Sequence, residues 1–593
     1  MIQWSDNFKY SDYIKLYNQI QSTDDSAAKK IRVAILSSYT STVVKEIITV
    51  ELFKDNFFSD IYFSEYNQFM QNIIDENSDL YKSKSDITIL AIRLEELYPS
   101  IYEDFNSLNT NKIIKDITEQ FISIIDNINK NSRTNIIINN FITPIYSINS
   151  LSDYSSEDSQ ISFIRKVNFI LLDIASRYSN VHILDNEQIA SNIGKKSICD
   201  YGKWYLYKNP YKPSYYIELS KEYRKYVQAI FGIRKKCMIL DLDNTLWGGI
   251  VGEDEIDGIK LGEDYPGKCY KDFQRVLLNL KKNGMLLAVN SKNNYDDAIK
   301  VINEHPEMIL REKDFAAIKI NWNDKATNVK EIASELNITY SDLVFIDDNK
   351  AECELIKQVF NEEISIINVD NDLPNNINKL LESNLFNFLK LTEEDKIKTE
   401  LYKARGKLLS KKLEFQNLED YYKSLEIVVQ IKEADRYSLP RITQLIQKTN
   451  QFNITNRRYS EEETSLMAYS DNYIVFYIKA KDKFGDNGIV GVCIVNTADV
   501  ESWNIDVFLL SCRVMGRNIE IAFMSFIYDM AKSNNVKLLR GEYIITEKNK
   551  SIKNFYKDLG FEYNNECYSL NITENEIICP EYIEIKHSKV GAI

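Results

Sequence analysis

Two aspartates two residues apart, Asp241 and Asp243, follow the strand-like run Lys236–Leu240 and precede Thr245. Side chains at alternate positions of an extended chain point the same way, so both carboxylates should emerge together where the strand ends. Such a pair can hold Mg²⁺, and the metal offsets the repulsion between carboxylate and phosphate while one carboxylate attacks phosphorus. The pattern predicts Asp241 as nucleophile and Asp243 as the acid and base that serves the leaving oxygen and the acceptor.

Further polar side chains follow later elements in the order that this chemistry requires. Ser291 follows one apolar run, Lys325 precedes a helical pattern, and Asp347 and Asp348 follow the run Leu343–Ile346. A hydroxyl and an ammonium can hold the transferring phosphoryl oxygens, while Asp347 or Asp348 completes the oxygen ligands of Mg²⁺. The predicted catalytic residues are Asp241, Asp243, Thr245, Ser291 and Lys325, and the predicted metal ligands are Asp241, Asp243, Asp347 and Asp348.

The elements that must position these residues fall into three folding units. Short β-branched runs alternate with helical patterns in the first 388 residues, which predicts two successive α/β units with parallel sheets. After Leu425, strand patterns followed by a helix predict an α+β domain. We expect an α/β partner domain over 1–228, the aspartate domain over 229–388, a connecting helix over 389–424 and the α+β domain over 425–593.

The charge balance limits the classes of partner. Among 593 residues, 87 are acidic and 73 are basic, and the net charge is −14. This balance disfavours binding to nucleic acid phosphates or to anionic lipid surfaces. No apolar run approaches the length of a membrane span, and the first residues lack the features of a signal peptide. We therefore expect a cytoplasmic protein with neither nucleic acid nor membrane as partner.

The scarcity of histidine bears on the first α/β unit. The chain has three histidines, and the one in this unit, His182, lies inside the strand pattern Val181–Leu184. A serine nucleophile near the strand end at Ser37 and Ser38 would thus lack its base. We expect a non-catalytic first domain. The eight cysteines form no CxxC pair, so that type of zinc or dithiol motif is also missing from the sequence.

The segment that begins at Asp241 with the residues DLDNTLWGGIVGED resembles the FkbH-like branch, subfamily IIIC, of the haloacid dehalogenase (HAD) superfamily. Asn290-Ser-Lys-Asn293, Ile320-Asn-Trp-Asn-Asp-Lys-Ala326 and Asp347-Asp-Asn349 extend the resemblance. It implies a HAD-like Rossmannoid core with little or no cap, preceded by an SGNH- or flavodoxin-like α/β domain and followed by a GNAT-like domain.

The same resemblance implies a reaction. FkbH-like proteins act in polyketide and related pathways, where a glyceryl unit from 1,3-bisphosphoglycerate is dephosphorylated and loaded onto an acyl carrier protein. The resemblance therefore implies a small phosphorylated three-carbon substrate, a carrier protein partner and Mg²⁺. Two alternatives remain open: a free-standing HAD phosphatase of a small phosphorylated metabolite, and a GNAT-type acyltransferase that uses the HAD unit as a scaffold.

The C-terminal unit has motifs of its own. Gly516 and Arg517 stand where a strand leads into a helix, which resembles the coenzyme A loop of GNAT acetyltransferases. Asn549, Tyr556 seven residues later and the pair Gly560-Phe561 strengthen that resemblance, which implies Tyr556 as a general acid. The implied contacts to coenzyme A or a phosphopantetheine arm are Arg513, Gly516, Arg517, Asn549 and Tyr556, and the candidate acyl-carrying thiols are Cys512 and Cys269.

Overall fold

The computed structural model describes residues 8–22, 29–389, 402, 422–483, 485–511, 514–546, 548–564 and 566–587. The connecting helix expected over 389–424 lies almost entirely outside these residues, and Cys512 and Arg513 lie outside them as well. By its internal contacts the chain divides into two compact units, Met1–Ile230 and Phe231–Ile593. Within the described ranges, every helix is too short or too polar to cross a membrane.

The first unit contains a five-stranded parallel sheet. Its strands are β1 Lys29–Ser37, β2 Phe57–Phe63, β3 Ile87–Ala91, β4 Asn135–Asn139 and β5 Val181–Leu184, in the order β2-β1-β3-β4-β5. This is the flavodoxin-like strand order, so the expected α/β fold is confirmed. Its helices are α1 Tyr10–Gln21, α2 Val44–Phe53, α3 Phe69–Ile74, α4 Asp79–Lys82, α5 Leu94–Leu97, α6 Ser100–Glu103, α7 Thr110–Asn131, α8 Gln160–Ser176, α9 Asn186–Ile193, α10 Lys195–Ile198, α11 Tyr201–Tyr207 and α12 Pro213–Ile230.

Burial explains why these residues form these elements. The five residues of β3 are all buried, as expected for a central parallel strand covered on both faces. Helix α7 buries Ile117, Phe121 and Ile124 at helical spacing, and its first turn is capped by the Asn109 side chain, which accepts from the backbone N–H of Lys112 at 3.1 Å. The apolar face of α7 and the sheet form one continuous core.

The second unit begins with another five-stranded parallel sheet. Its strands are β6 Cys237–Leu240, β7 Leu286–Ser291, β8 Ala317–Ile320, β9 Leu343–Asp347 and β10 Ser365–Asn368, in the order β10-β9-β6-β7-β8. The helices around it are α13 Val251–Gly258, α14 Gly267–Lys282, α15 Tyr295–Glu304, α16 Lys325–Leu336, α17 Lys350–Val359 and α18 Leu373–Glu382. Between β6 and β7 the chain forms the short α13 and the packed α14, so the HAD-like core carries no cap domain there.

A mostly antiparallel sheet completes the second unit. Its strands are β11 Ile427–Glu433, β12 Phe452–Asn453, β13 Tyr473–Asp482, β14 Gly485–Asn496, β15 Ser502–Leu510, β16 Leu538–Gly541, β17 Glu562–Tyr563, β18 Tyr568–Asn571 and β19 Ile583–His587, and its helices are α19 Leu439–Lys448, α20 Glu461–Ala468, α21 Ile519–Ser533 and α22 Phe555–Asp558. The apolar side of α21 packs into the main core of this sheet. Strands β15 and β16 pair in parallel over four residues within a mostly antiparallel sheet, which agrees with the expected GNAT-like α+β fold.

Candidate active site

The aspartate motif lies at the carboxyl edge of the HAD-like sheet. Strand β6 ends at Leu240, and the backbone N–H of Asp241 donates to the carbonyl of Ile346 in β9 at 3.0 Å. The chain then turns tightly, because the N–H groups of Thr245 and Leu246 both donate to the Leu242 carbonyl. Strand β6 lies between β9 and β7, whose last residues are Asp347 and Ser291, so the predicted residues meet at one edge.

The ammonium group of Lys325 contacts the carboxylates of Asp241 and Asp347. Its ammonium lies 3.0 Å from Oδ2 of Asp241 and 2.5 Å from Oδ2 of Asp347, and the lysine side chain is 4% exposed. Burial alone would lower the pKa of Lys325, but the two carboxylates outweigh it and raise this pKa above its usual value. The ammonium is therefore a fixed positive charge directly beside the predicted nucleophile.

Asn290 helps to place that lysine. Its side chain, fully buried at the end of β7, donates to the backbone carbonyl of Lys325 at 2.9 Å and accepts from the amide of Asn328 at 3.0 Å. Asp324 caps the same helix by accepting from the N–H of Thr327 at 2.8 Å. Sequence reasoning quoted Asn290 within a motif but gave it no role, and its contact to Lys325 depends on tertiary structure.

Three carboxylates form a group that fits a divalent cation. One oxygen each of Asp241, Asp347 and Asp348 lies within 4.8 Å of the others. Burial, and next the charge of Asp241, raises the pKa of both Asp347 and Asp348, and the Lys325 ammonium offsets part of the rise. Oxygen ligands of this kind suit Mg²⁺. The carboxylate of Asp243 lies outside this group, and its part as a ligand remains a prediction.

Asp243 is held by its neighbours in a different way. Its Oδ1 accepts from the indole N–H of Trp247 at 2.9 Å and from the backbone N–H of Val251 at 3.2 Å, while its Oδ2 accepts from the Asn293 amide at 2.9 Å. Burial raises the pKa of Asp243, and these three hydrogen bonds partly offset the rise. The carboxyl group is thus fixed in orientation, as a general acid and base requires.

Asn293 is a residue that the sequence reasoning missed as a partner of the site. Its amide bridges Oδ2 of Asp243 and, at 3.3 Å, Oγ of Ser291. The signal was available, because Asn293 stands two residues beyond Ser291 in the quoted motif and polar residues at alternate positions can share a face. The contact across 50 residues of chain to Asp243 could not be read from that spacing.

The two predicted hydroxyls are buried at the same edge. Ser291, 1% exposed, has its Oγ near the Asn293 amide, and Thr245 is 2% exposed. The Thr245 hydroxyl has no hydrogen-bond partner among the described residues, and a buried donor without a partner is costly. A bound phosphoryl oxygen would provide the missing acceptor.

The mouth of this edge carries exposed apolar side chains. Ile250, Tyr265, Tyr295 and Trp322 are each at least 41% exposed, and Trp322 reaches 70%. Trp322 lies between β8 and Lys325 and donates its indole N–H to Asn294 at 3.1 Å. Cys269, a candidate thiol, lies partly buried in the first turn of α14. We call Ile250, Tyr265, Tyr295 and Trp322 the rim.

The predicted cofactor contacts of the C-terminal domain are engaged within that domain. The guanidinium of Arg517 forms a buried ion pair with Asp482, and Gly516 has a positive φ of 74° while its carbonyl accepts from the Tyr422 hydroxyl. The hydroxyl of Tyr556 is buried against Gly541, and burial raises its pKa well above the usual value. Their role in binding coenzyme A or phosphopantetheine remains a prediction.

Asn549 has contacts typical of a structural asparagine. Its amide donates to the carbonyls of Asn453 and Ile544, both at 2.9 Å, and its Oδ1 accepts from the N–H of Thr546 at 2.7 Å, with the side chain fully buried. Replacing Asn549 with alanine should lower the unfolding free energy by at least about 2 kcal/mol, because buried partners lose their hydrogen bonds. Denaturant unfolding measures this, with exposed Asn534→Ala as control. Equal stability of the two variants would contradict the structural role.

The first unit uses its polar strand ends for internal contacts. The hydroxyl of Ser38 accepts from the N–H of Arg93 at 2.9 Å, and that of Ser37 accepts from the N–H of Tyr39 at 3.1 Å. His182 lies within β5 beside the ring of Tyr226, at 6.4 Å between centroids. That this domain is non-catalytic remains a prediction.

Comparison with known proteins agrees with this architecture. The family model described as FkbH, N-terminal domain, matches residues 32–207. The N-terminal part of the protein BF1531 from Bacteroides fragilis, a structure that contains a phosphatase domain complexed with Mg, is 26% identical with a TM-score of 0.57, and the match covers 64% of this chain and 99% of that one. None of the curated proteins compared with the chain matches it significantly.

Other solved structures match a smaller part of the chain. The ribosomal-protein-S18-alanine N-acetyltransferase from Escherichia coli is 14% identical with a TM-score of 0.20, over 26% of this chain and 97% of that one. A domain from Methanocaldococcus jannaschii is 19% identical with a TM-score of 0.20, over 24% of this chain and 97% of that one. The family model at residues 32–207 and the HAD-like sheet with its phosphatase-domain neighbour confirm the predicted resemblance to FkbH-like proteins.

Proposed function

We propose that this chain is a Mg²⁺-dependent HAD-type enzyme that removes phosphate from 1,3-bisphosphoglycerate and loads the glyceryl unit onto an acyl carrier protein. The observation that carries the phosphoryl chemistry is the contact of the Lys325 ammonium with Asp241 at 3.0 Å, beside the carboxylates of Asp347 and Asp348. A nucleophile, a cation and a metal-binding group are thus within reach of one phosphoryl group.

The site residues fit the proposed metal. The three clustered carboxylates would hold Mg²⁺, and the Bacteroides fragilis structure that resembles this chain was solved with Mg. When bound, Mg²⁺ supplies the positive charge that offsets repulsion between carboxylate and phosphoryl oxygens. The carrier protein and the three-carbon substrate enter the proposal through the FkbH-like resemblance, which the N-terminal family model supports.

The proposed steps balance in atoms and charge. An Asp241 oxygen bonds to phosphorus at C3 as the bond from phosphorus to the leaving oxygen breaks, and Asp243 gives that oxygen a proton. Water then displaces Asp241 from phosphorus, Asp243 takes the proton of the water, and inorganic phosphate leaves. Loading joins the carrier thiol sulfur to the acyl carbon as the bond from that carbon to the C1 phosphate oxygen breaks, and the thiol proton leaves with the released phosphate. We also propose the domain limits 1–228, 229–388, 389–424 and 425–593.

Intact mass spectrometry tests the whole proposal. The full chain is incubated with Mg²⁺, 1,3-bisphosphoglycerate and a holo carrier protein, and a carrier that gains the mass of one glyceryl group is the expected result. Phosphate release without any gain on the carrier would instead favour a free-standing phosphatase. If the carrier still gains the mass of a glyceryl group when Asp241→Asn replaces the wild type, the result would favour an acyltransferase that uses the HAD unit as a scaffold.

Magnesium should stabilise the fold as well as support turnover. Binding at 100 times the dissociation constant adds about 2.7 kcal/mol to the unfolding free energy. We expect thermal unfolding to shift upward with Mg²⁺ and Asp348→Asn to reduce that shift strongly, because one of three clustered carboxylates is lost. The control is Asp296→Asn, an exposed aspartate on α15. A full shift in Asp348→Asn would remove this residue from the metal site.

The rim should matter for a large substrate more than for a small one. Trp322→Ala removes a 70% exposed indole at the mouth of the site without touching Asp241 or Lys325. We expect carrier loading to fall about tenfold, since an exposed aromatic anchor can contribute on the order of 1–2 kcal/mol, while carrier-independent phosphate release changes less than twofold. Tyr437→Ala, a similarly exposed aromatic in the C-terminal domain, is the control. Equal losses in both reactions would contradict a role in partner contact.

A further inference from the structure

Helix α11 of the first unit is unusual in burying none of its seven residues. Four of its large side chains, Tyr201, Tyr205, Leu206 and Tyr207, are between 61% and 76% exposed. Single exposed apolar residues are ordinary, but a run of them on one short helix forms a patch of the kind that marks interaction sites.

The patch extends to a neighbouring loop. Tyr146, 69% exposed, lies beside α10, because the ammonium of Lys196 is 5.4 Å from the centre of the Tyr146 ring. Burial, and next the neighbouring Cys199 and Tyr146, raises the pKa of Tyr201. We call Tyr146, Tyr201, Tyr205, Leu206 and Tyr207 the aromatic surface.

A partly buried tryptophan connects this surface to the sheet. Trp204, in the middle of α11, lies over the guanidinium of Arg93 at 4.7 Å. Arg93 follows β3, pairs with Glu95 at 3.0 Å and Glu96 at 3.6 Å, and donates its N–H to Ser38. The exposed residues of α11 are therefore presented by a positioned helix at the carboxyl edge of the sheet, where α/β folds commonly bind partners and ligands.

The charge around the aromatic surface is opposite to that of the whole chain. Residues 195–212 contain five lysines and one acidic residue, Asp200, whereas the net charge of the protein is −14. Lys196, Lys203 and Lys212 are exposed. Lys203 lies 3.7 Å from Asp200, and Lys208 lies over the Trp204 ring. A positive border around exposed aromatics is complementary to a surface where carboxylates surround apolar side chains.

We propose that the aromatic surface and its lysine border bind an acidic protein, which, resting on the proposed function, is the acyl carrier protein. Charge complementarity steers the encounter, and the tyrosines supply apolar contact at low cost in side-chain entropy. The first unit is thereby the docking domain for the carrier and needs no catalytic residue of its own.

The test measures binding of fluorescently labelled holo carrier protein to the full chain by anisotropy. We expect the double variants Lys196→Glu/Lys203→Glu and Tyr205→Ser/Leu206→Ser each to weaken binding at least tenfold, and added salt to weaken binding to the wild type. Reversing carboxylates on the carrier to lysine should restore affinity for the glutamate variant. Matched controls are Lys45→Glu and Tyr66→Ser, exposed positions of the first unit outside the surface.

The outcomes separate docking from catalysis. Phosphate release from 1,3-bisphosphoglycerate without a carrier should be unchanged in every surface variant. If phosphate release does not depend on Asp241 while the carrier still binds through α11, the catalytic proposal fails and the docking proposal stands. Unaltered affinity in the variants, no binding to the wild type, or a concentration-dependent dimer of this chain that the serine variant abolishes would each overturn the docking proposal.

Discussion

Replacing Asp241 with asparagine is expected to reduce phosphate release by about 10⁴-fold or more, the scale seen when a covalent nucleophile is lost. The substitution keeps the shape of the side chain but removes the charge that attacks phosphorus. It also removes a ligand from the carboxylate group and a partner at 3.0 Å from Lys325. Phosphate release from 1,3-bisphosphoglycerate under single-turnover conditions measures the effect.

Although Asp241→Asn should lower the rate of phosphate release, it should leave the thermal stability of the metal-free protein unchanged or raise it. The charge of Asp241 helps to raise the pKa of Asp347, so its loss relieves repulsion in the absence of metal. We expect a metal-free thermal midpoint equal to or above that of the wild type, which separates lost chemistry from lost folding. Asp296→Asn is the matched control. If Asp241→Asn keeps more than a tenth of the wild-type rate, the covalent mechanism is wrong.

Replacing Lys325 with methionine should damage both turnover and folding. We expect a rate loss of about 100- to 1,000-fold, comparable to removal of one preorganised donor from a charge-stabilising site. Without metal, the unfolding free energy should fall by about 3–5 kcal/mol, because two buried carboxylates lose their shared cation. Asp241 and Asp347 are the carboxylates concerned. Denaturant unfolding in a chelator measures the second effect.

Magnesium should recover part of that stability, since a bound cation replaces the missing ammonium charge. The recovery distinguishes a charge effect from a packing defect, which metal would not repair. The control is Lys319→Met. Lys319 lies in β8, which precedes α16, and pairs with Glu331 and Glu335 near the surface, so this change should alter the unfolding free energy by less than about 1 kcal/mol. A Lys325→Met protein as stable as the wild type in chelator would mean that this ion pair does not hold the site together.

The presence of the parallel strands and the edge of the sheet at which chemistry occurs could be predicted from local sequence pattern. Runs such as Leu343–Ile346 are apolar enough to be buried on both faces, and the polar residues that follow them must lie at the carboxyl edge. Two further features could be recognised from the sequence for the same reason: the alternate spacing of Asp241 and Asp243, and the position of Lys325 at a helix start. These are properties of residues a few positions apart.

Tertiary structure decided which of these groups touch. Asp243 accepts hydrogen bonds from Trp247 and Asn293, and Asn290 donates to the backbone of Lys325. These contacts form only when the chain folds. The burial of Arg517 against Asp482 directs that guanidinium into the domain interior, although its motif suggested a phosphate contact. The exposed helix Tyr201–Tyr207 was not singled out from the sequence, because exposure is not a property of local composition.

The sequence by itself therefore determined the carboxyl-edge location of the aspartates and a phosphatase-related class of chemistry, and it predicted three folding units, since strand periodicity and residue spacing act over short range. Only the folded chain determined the carboxylate cluster, the partners of Asp243 and the uncovered helix α11. Distances between side chains far apart in sequence depend on how whole sheets and helices pack, and that packing is the collective outcome of the core.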